Sequence, residues 1–357
     1  MPAGGGHGAR GRSHSPRMST LRIWIAIALF AALWTAARSN AATVYVANDG
    51  KDGASCGTEP LPCRSLSAAV ARASDGDTVE VGPGRYGDLD GNGALGNTAG
   101  EEELDLLECA CLVEVGKRVA VLSRDGAAAT QIAVPPIAET ITGVRLSAAG
   151  SAFGARNRGF TILAGGKDGI LASGSGVSIA GNFVLYAAVG ISTTGPDAVV
   201  SDNRVLQSVT GFRLDGPGCK AERNAALGNE GQGFTVAGEG CVLDSSAAIA
   251  NLIGLTFSAA NGALRSSTIA GNKKYGADVT NASTRVLGSR FYGNGAEEHG
   301  VEPNCGLLGA HGLDASGNYW GGAFGPGGDP GDAICGPDTV FEPFLSKDTP
   351  LALKPIR

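Results

Sequence analysis

A glycine returns every 21 or 22 residues through the middle of this chain, at 169, 190, 211, 233, 254 and 276. Each opens a short alternating segment, such as Gly211-Phe-Arg-Leu214 or Gly233-Phe-Thr-Val236. The residue after the glycine is apolar every time, the next is usually polar, and the third is mostly apolar. Period-two alternation nested in a fixed longer period marks a β-solenoid, in which each coil contributes a strand to a stacked sheet. One coil cannot bury its apolar side alone, so the core exists only through stacking.

Two further columns keep the same register. Asn182, Asn203 and Asn224 recur at 21, with Ser246 and Ser267 in that place later. Asn229, Asn251, Asn272 and Asn294 form another column. Stacked amides can hydrogen-bond from coil to coil, and asparagine also tolerates turn backbone; both readings keep the register. With its G-I-x-L segments and asparagine columns, the chain resembles the right-handed parallel β-helix proteins of the pectin-lyase-like class, of secreted bacterial type. The fold that resemblance implies is all-β: a single-stranded right-handed solenoid with an N-terminal capping helix.

The first 42 residues read as a signal peptide: arginines at 10, 12 and 17, an apolar run from Ile23 to Ala37, then small residues before a cut. An uncleaved anchor is the alternative, although the run is shorter than the ~20 apolar residues of a span. Met18 is a second candidate start, and no cysteine follows the run as a lipoprotein would need. Residues 1–42 hold five of the 28 basic residues and none of the 34 acids, leaving 23 against 34, a net of −11. That balance argues against nucleic acid and anionic membrane surfaces as partners, and it disfavours a purely electrostatic grip on pectin- or alginate-like polyanions unless calcium bridges the charges. The chain is expected to be secreted, periplasmic or at the cell surface, with no span after cleavage, and to be a monomer.

All eight cysteines lie in the exported part, which suggests disulfides. Cys219 and Cys241 hold the same place in successive coils, whose ~4.8 Å spacing suits a bridge. Cys56 and Cys63 are expected to close a small loop, and Cys305 and Cys335 to tie the C-terminal end. Cys109 and Cys111 leave open a strained i, i+2 bridge or crossed pairing with Cys56 and Cys63.

Residues 43–87 read as an N-terminal cap: strand, short amphipathic helix at Ser65–Ala73, and a Gly-Asp-Thr-Val-Glu-Val strand, which resembles the cap of secreted bacterial β-helices. Residues 107–300 carry the coils. Residues 301–357 form a C-terminal cap, where Gly317-Asn-Tyr-Trp-Gly-Gly322 and Pro343-Phe-Leu345 resemble the family's closing motif and Trp320 and Phe344 cover the last coil. Between cap and coils, 88–106 is an acidic, glycine-rich insertion. Asp88, Asp90 and Asn92 with Gly93 match the first half of a calcium loop. Position 12 is Ala99, so Glu101, Glu102 or Glu103 would complete the oxygen set; a solvated acidic loop is the alternative reading.

Enzymes of the resembled class carry substrate across the outward side chains of one sheet. Here that column reads Leu171, Ser192, Arg213, Thr235, Thr256, Asp278. It has neither the stacked aspartates of the family's hydrolases nor the Asp-Pro-His signature of its epimerases. Arg213 and Arg223, with Asp202, Arg204, Lys220 and Glu222, could converge on one patch, and Lys273, Lys274 and Tyr275 on another. Either could serve a polysaccharide lyase, with Arg or Lys as base; solvated surface charge is the plainer reading. His299 and His311, near Glu297 and Glu298, are the histidines outside the leader. The expected function is therefore a non-catalytic glycan-binding, structural or adhesive module, with a lyase acting on an acidic polysaccharide as the alternative.

Overall fold

The computed structural model describes residues 41–98, 100–102, 109–135, 141–295, 304–328 and 330–348. Residues 1–40 of the leader, Glu103, Glu297, Glu298 and His299 lie outside them. Each coil contributes one strand to each of three parallel sheets. Sheet I collects the glycine strands, such as Asp168–Ala172 and Thr210–Leu214, in a run from Cys111–Val115 to Cys305–Gly309, with the two-residue Ala333–Ile334 beyond. Sheet II runs from Thr43–Val46 to Arg285–Leu287, and sheet III from Gly84–Gly87 to Arg290–Tyr292.

Parallel strands leave no hairpin edge, so the apolar columns meet along a central axis. Sheet I contributes Val113, Val144, Ile170, Ile191, Phe212, Phe234 and Leu255; sheet III contributes Ile162, Val184, Val205 and Ala226; all are fully buried. Phe212 stacks on Phe234 with centroids 4.7 Å apart. At ~25 cal/mol per Å² of apolar surface, each large side chain so buried stabilises the stack by roughly 1.5–3 kcal/mol.

One amide column explains the glycines from Gly211 to Gly276, while Gly169 and Gly190 make room for Val184 and Val205. Asn251 Oδ1 accepts from the backbone N–H and Nδ2 of Asn229, and Asn251 donates from both to Asn272 Oδ1. A Cβ on Gly233 would lie 2.8 Å from that Asn251 amide and 2.5 Å from the Gly254 carbonyl. Only glycine leaves room for the amide, so the two periodic columns are one device. The column starts with the Ala187 N–H on Ser208 Oγ, continues with the Ser208 N–H on Asn229, and ends with both Asn294 donors on the carboxylate of Asp332. At the corner between sheets II and III, the other column runs from Phe160 N–H through Asn182, Asn203, Asn224, Ser246, Ser267 and Ser289 to Asn318.

Both expected caps are themselves coils. Thr43–Val46 pairs with Thr78–Val81, which pairs with Ala120–Ser123 in the same sheet. At the far end Tyr319 bridges Arg290 and Leu345, while Asp314 bridges Arg285 and Val340. Trp320 is fully buried and stacks on Phe291 at 4.8 Å; Phe344 is partly buried against the core. The N-terminal end is closed by the helix α1, Leu66–Arg72. Ser65 caps it, Glu102 accepts from the Leu66 and Ser67 N–H groups, and Lys117 Nζ donates to the carbonyls of Val70, Ala71 and Ala73. A two-turn helix is marginal alone, and here its orphan groups at both ends are met.

The disulfides join Cys56 to Cys63, Cys219 to Cys241 and Cys305 to Cys335, and Cys109 to Cys111. The last pair resolves the open alternative in favour of the i, i+2 bridge. Among the described residues no helix is long and apolar enough to cross a membrane.

Candidate functional site

The outward column of sheet I is longer than the regular repeat indicates. In register it reads Glu114, Arg145, Leu171, Ser192, Arg213, Thr235, Thr256, Asp278 and Leu308. Arg145 and Arg213 stand three strand steps apart, about 14 Å. Arg213 is exposed and forms neither hydrogen bond nor ion pair among the described residues. Arg145 is half-buried, and its Nε is enclosed without a partner. Its neighbour Glu114 accepts instead from Ser147 Oγ at 2.5 Å.

Two carboxyls lie within the electrostatic reach of Arg213. Asp168, half-buried at the head of its strand, is pushed above the usual carboxylate range by burial, with Arg213 and Lys167 pulling the other way. Asp215, just past the Arg213 strand, is exposed on one side, yet partial desolvation raises it against the pull of the same guanidinium. Farther along, burial raises Asp278, and Lys274 opposes it. Lys274 lies 5.0 Å over the ring of Tyr275, and Lys273 is exposed beside it.

The other basic candidates go elsewhere, because residues some seven positions apart in a coil of three faces point in different directions. Lys220 and Glu222 lie on sheet II, and Arg204 lies on sheet III over Phe183 at 5.3 Å. Arg223, at φ 54°, holds Asp202 bidentately at 2.9 and 3.0 Å and reaches Glu222 at 2.8 Å. The hydrogen bonds it donates to Asp202 raise its pKa further, so this guanidinium is a fixed cation in an ion-pair network. The expected single patch of Arg213 and Arg223 therefore does not form.

The acidic insertion leaves sheet III after Gly87 at the corner that leads into sheet I. Asp88, Asp90 and Glu101 each bring an oxygen within 4.8 Å of the others. Asp88 and Glu101 are 2 % and 6 % exposed, so two carboxylates share a nearly dry pocket. Backbone N–H groups of Gly91 and Gly93 hold Asp88, and those of Leu89, Asn97 and Thr98 hold Glu101. Asn92 stays in the turn, donating to Asp90 and accepting from Ala94. Glu102 is committed to helix α1, where burial raises its pKa. The donor set is hard oxygen, as calcium prefers. His311 faces Asp338 at 3.2 Å in an exposed pair.

No protein-family profile and no curated protein sequence matches this chain. Similar solved structures include a rhamnogalacturonan lyase at 14% identity, covering 70% of this chain and 74% of that one with TM-score 0.50. A mannuronan C-5 epimerase A-module from Azotobacter vinelandii shares 17% identity over 72% and 82% of the chains, TM-score 0.48. A pectate lyase shares 15% identity over 87% and 79%, TM-score 0.45. At these identities the likeness concerns the fold, which is the right-handed parallel β-helix.

Proposed function

We propose that this is an exported β-helix protein that holds an acidic polysaccharide along the outer face of sheet I, gripped by Arg213 and Arg145. The observation that carries the reading is the unpaired, exposed guanidinium of Arg213 on a rigid sheet, in a column with a second arginine three coils away. Two other arginines are held by carboxylates, Arg223 by Asp202 and Arg158 by Glu80, whereas Arg213 shares its column with Arg145. A planar fork with free donors suits a sugar carboxylate and its neighbouring hydroxyls. Four disulfides fit an oxidising compartment.

Catalysis is a second reading, favoured by Asp168 and Asp215, whose raised pKa values put carboxyls suited to proton transfer beside the same guanidinium. One experiment separates the two. The purified chain is passed over immobilised polyuronates and assayed for ultraviolet absorbance from unsaturated uronates. Retention that salt weakens and Arg213→Ala abolishes, without new absorbance, supports a binding module. New absorbance makes it a lyase. No retention of any acidic polysaccharide refutes the proposal.

A further inference from the structure

Of the four disulfides, the one between Cys109 and Cys111 does least for the fold. Its sequence separation is 2, against 7, 22 and 30 for the others. The entropy that a bridge removes from the unfolded chain grows with the loop it closes, so this loop contributes least. Cys219–Cys241 joins successive coils, and Cys305–Cys335 ties Cys305–Gly309 to the end of its neighbour Ala333–Ile334. Cys109–Cys111 joins no two elements.

Opening it would leave the sheet standing. Cys111 begins the first strand of sheet I and pairs there with Thr142, whose N–H donates to the Ala110 carbonyl at 3.0 Å. Between the two cysteines Ala110 sits at φ 46°, left-handed backbone that a residue with a Cβ adopts only at a cost. Strained or exposed bridges are the ones that exchange with thiols. The two sulfurs also differ in access: Cys111 is 1 % exposed, whereas Cys109 is only half-buried. An incoming thiolate approaches along the S–S axis, so it reaches Cys109 Sγ and expels Cys111 Sγ. A carboxylate oxygen of Glu114 lies within 4.8 Å of both sulfurs, and Ser147 Oγ donates to this side chain at 2.5 Å. A carboxyl at that range can pass a proton to the departing sulfur. Asp52 stands equally near Cys56 and Cys63, but those residues are 6 % and 0 % exposed, and Asp52 accepts from the N–H groups of Arg64 and Ser65.

We propose that Cys109–Cys111 is a thiol–disulfide exchange site, with thiols as the reductant. A first thiol loses its proton to Glu114, and its sulfur bonds to Cys109 Sγ. The Cys109–Cys111 bond breaks, and Cys111 Sγ leaves with the electron pair and takes that proton. A second thiol attacks the sulfur of the first, releasing their mutual disulfide, and its proton goes to Cys109. Two thiols are oxidised and one protein disulfide is reduced.

The test exposes the folded full chain to reduced glutathione or, in parallel, to a cysteine-containing peptide. Alkylation then quenches the exchange, and mass spectrometry maps the opened cysteines. Cys109 and Cys111 should open at least about tenfold faster than Cys56 and Cys63, with the thiol adduct on Cys109. Equal rates, or an adduct on Cys111, overturn the proposal. Opening by either thiol supports it, and opening by glutathione alone confines the site to small thiols. Cys111→Ser should form a lasting mixed disulfide at Cys109 with oxidised glutathione, whereas Cys109→Ser should form little at Cys111; the reverse order overturns the assignment of the attacked sulfur. Glu114→Gln should slow the opening several-fold at an unchanged urea midpoint. An unchanged rate overturns the proton route through Glu114.

Discussion

Replacing Asn251 by alanine tests whether the amide column, beyond marking the register, stabilises the stack. Asn251 is fully buried, and its side chain makes four hydrogen bonds: two accepted from Asn229, at 3.0 and 2.8 Å, and one donated to each of Ala226 O and Asn272 Oδ1, both at 3.1 Å. Alanine leaves both Asn229 donors without an acceptor inside the coil, while Asn272 Oδ1 keeps the Asn251 backbone N–H. An unsatisfied buried donor costs about 1–3 kcal/mol, so two of them and the vacated space come to ~3–5 kcal/mol. The exposed Glu239, whose carboxylate accepts from Asn261 Nδ2 at 3.2 Å, serves as the control, since its alanine variant should stay within about 0.5 kcal/mol. Both are measured by urea unfolding with the disulfides intact, read from the midpoint at unchanged slope. An Asn251→Ala loss below ~1 kcal/mol would refute the reasoning, because water would then be substituting for the amide at little cost.

Calcium should raise the melting temperature, since a ligand that binds only the folded state stabilises it, by about 2.7 kcal/mol at a hundredfold excess over Kd. Asp88→Asn should remove the rise, and no shift at millimolar calcium sinks the site. Asp332 is raised by burial from 3.8 to about 6. A carboxyl with its folded pKa above its unfolded value favours folding fully below pH ~4 and loses that contribution as pH climbs through about 6, by on the order of 2–3 kcal/mol. Unfolding curves between pH 4 and 7 should show that slope, and Asp332→Asn should flatten it. Removing the 22-residue closure with Cys219→Ala/Cys241→Ala should cost about 3 kcal/mol by the loop-entropy argument, read by chemical unfolding. An unchanged midpoint would mean that coil stacking alone holds those two strands.

The solenoid was legible because its constraints repeat. Glycine, asparagine and the Cys219–Cys241 pair each occupy a fixed place in a period of 21 or 22, and all three fell where the coils put them. The ends were less legible because insertions break the period. Asp332 sits 38 residues after the Asn294 it receives, and Asn318 sits 29 after Ser289, so neither looks like the last rung of a column. Arg145 was hidden in an irregular early coil. Asp168 was missed because counting began at the glycine, whereas the strand starts one residue earlier. Glu101 reached the Asp88 cluster through a loop two residues longer than the standard spacing. The spread of Arg204, Arg213 and Arg223 over separate faces comes from where each coil turns, which residue type alone does not reveal.

The amide column also has a direction. Every asparagine rung accepts from the coil before it and donates to the coil after it, so a stack that stops at an asparagine offers two N–H donors at its edge. Another coil with asparagine in that place answers them and presents the same two donors again. A carboxylate answers them and offers nothing further. Asp332 therefore works as a terminator, and lineages of such solenoids can lengthen or shorten by whole coils upstream of it while the termination chemistry stays the same.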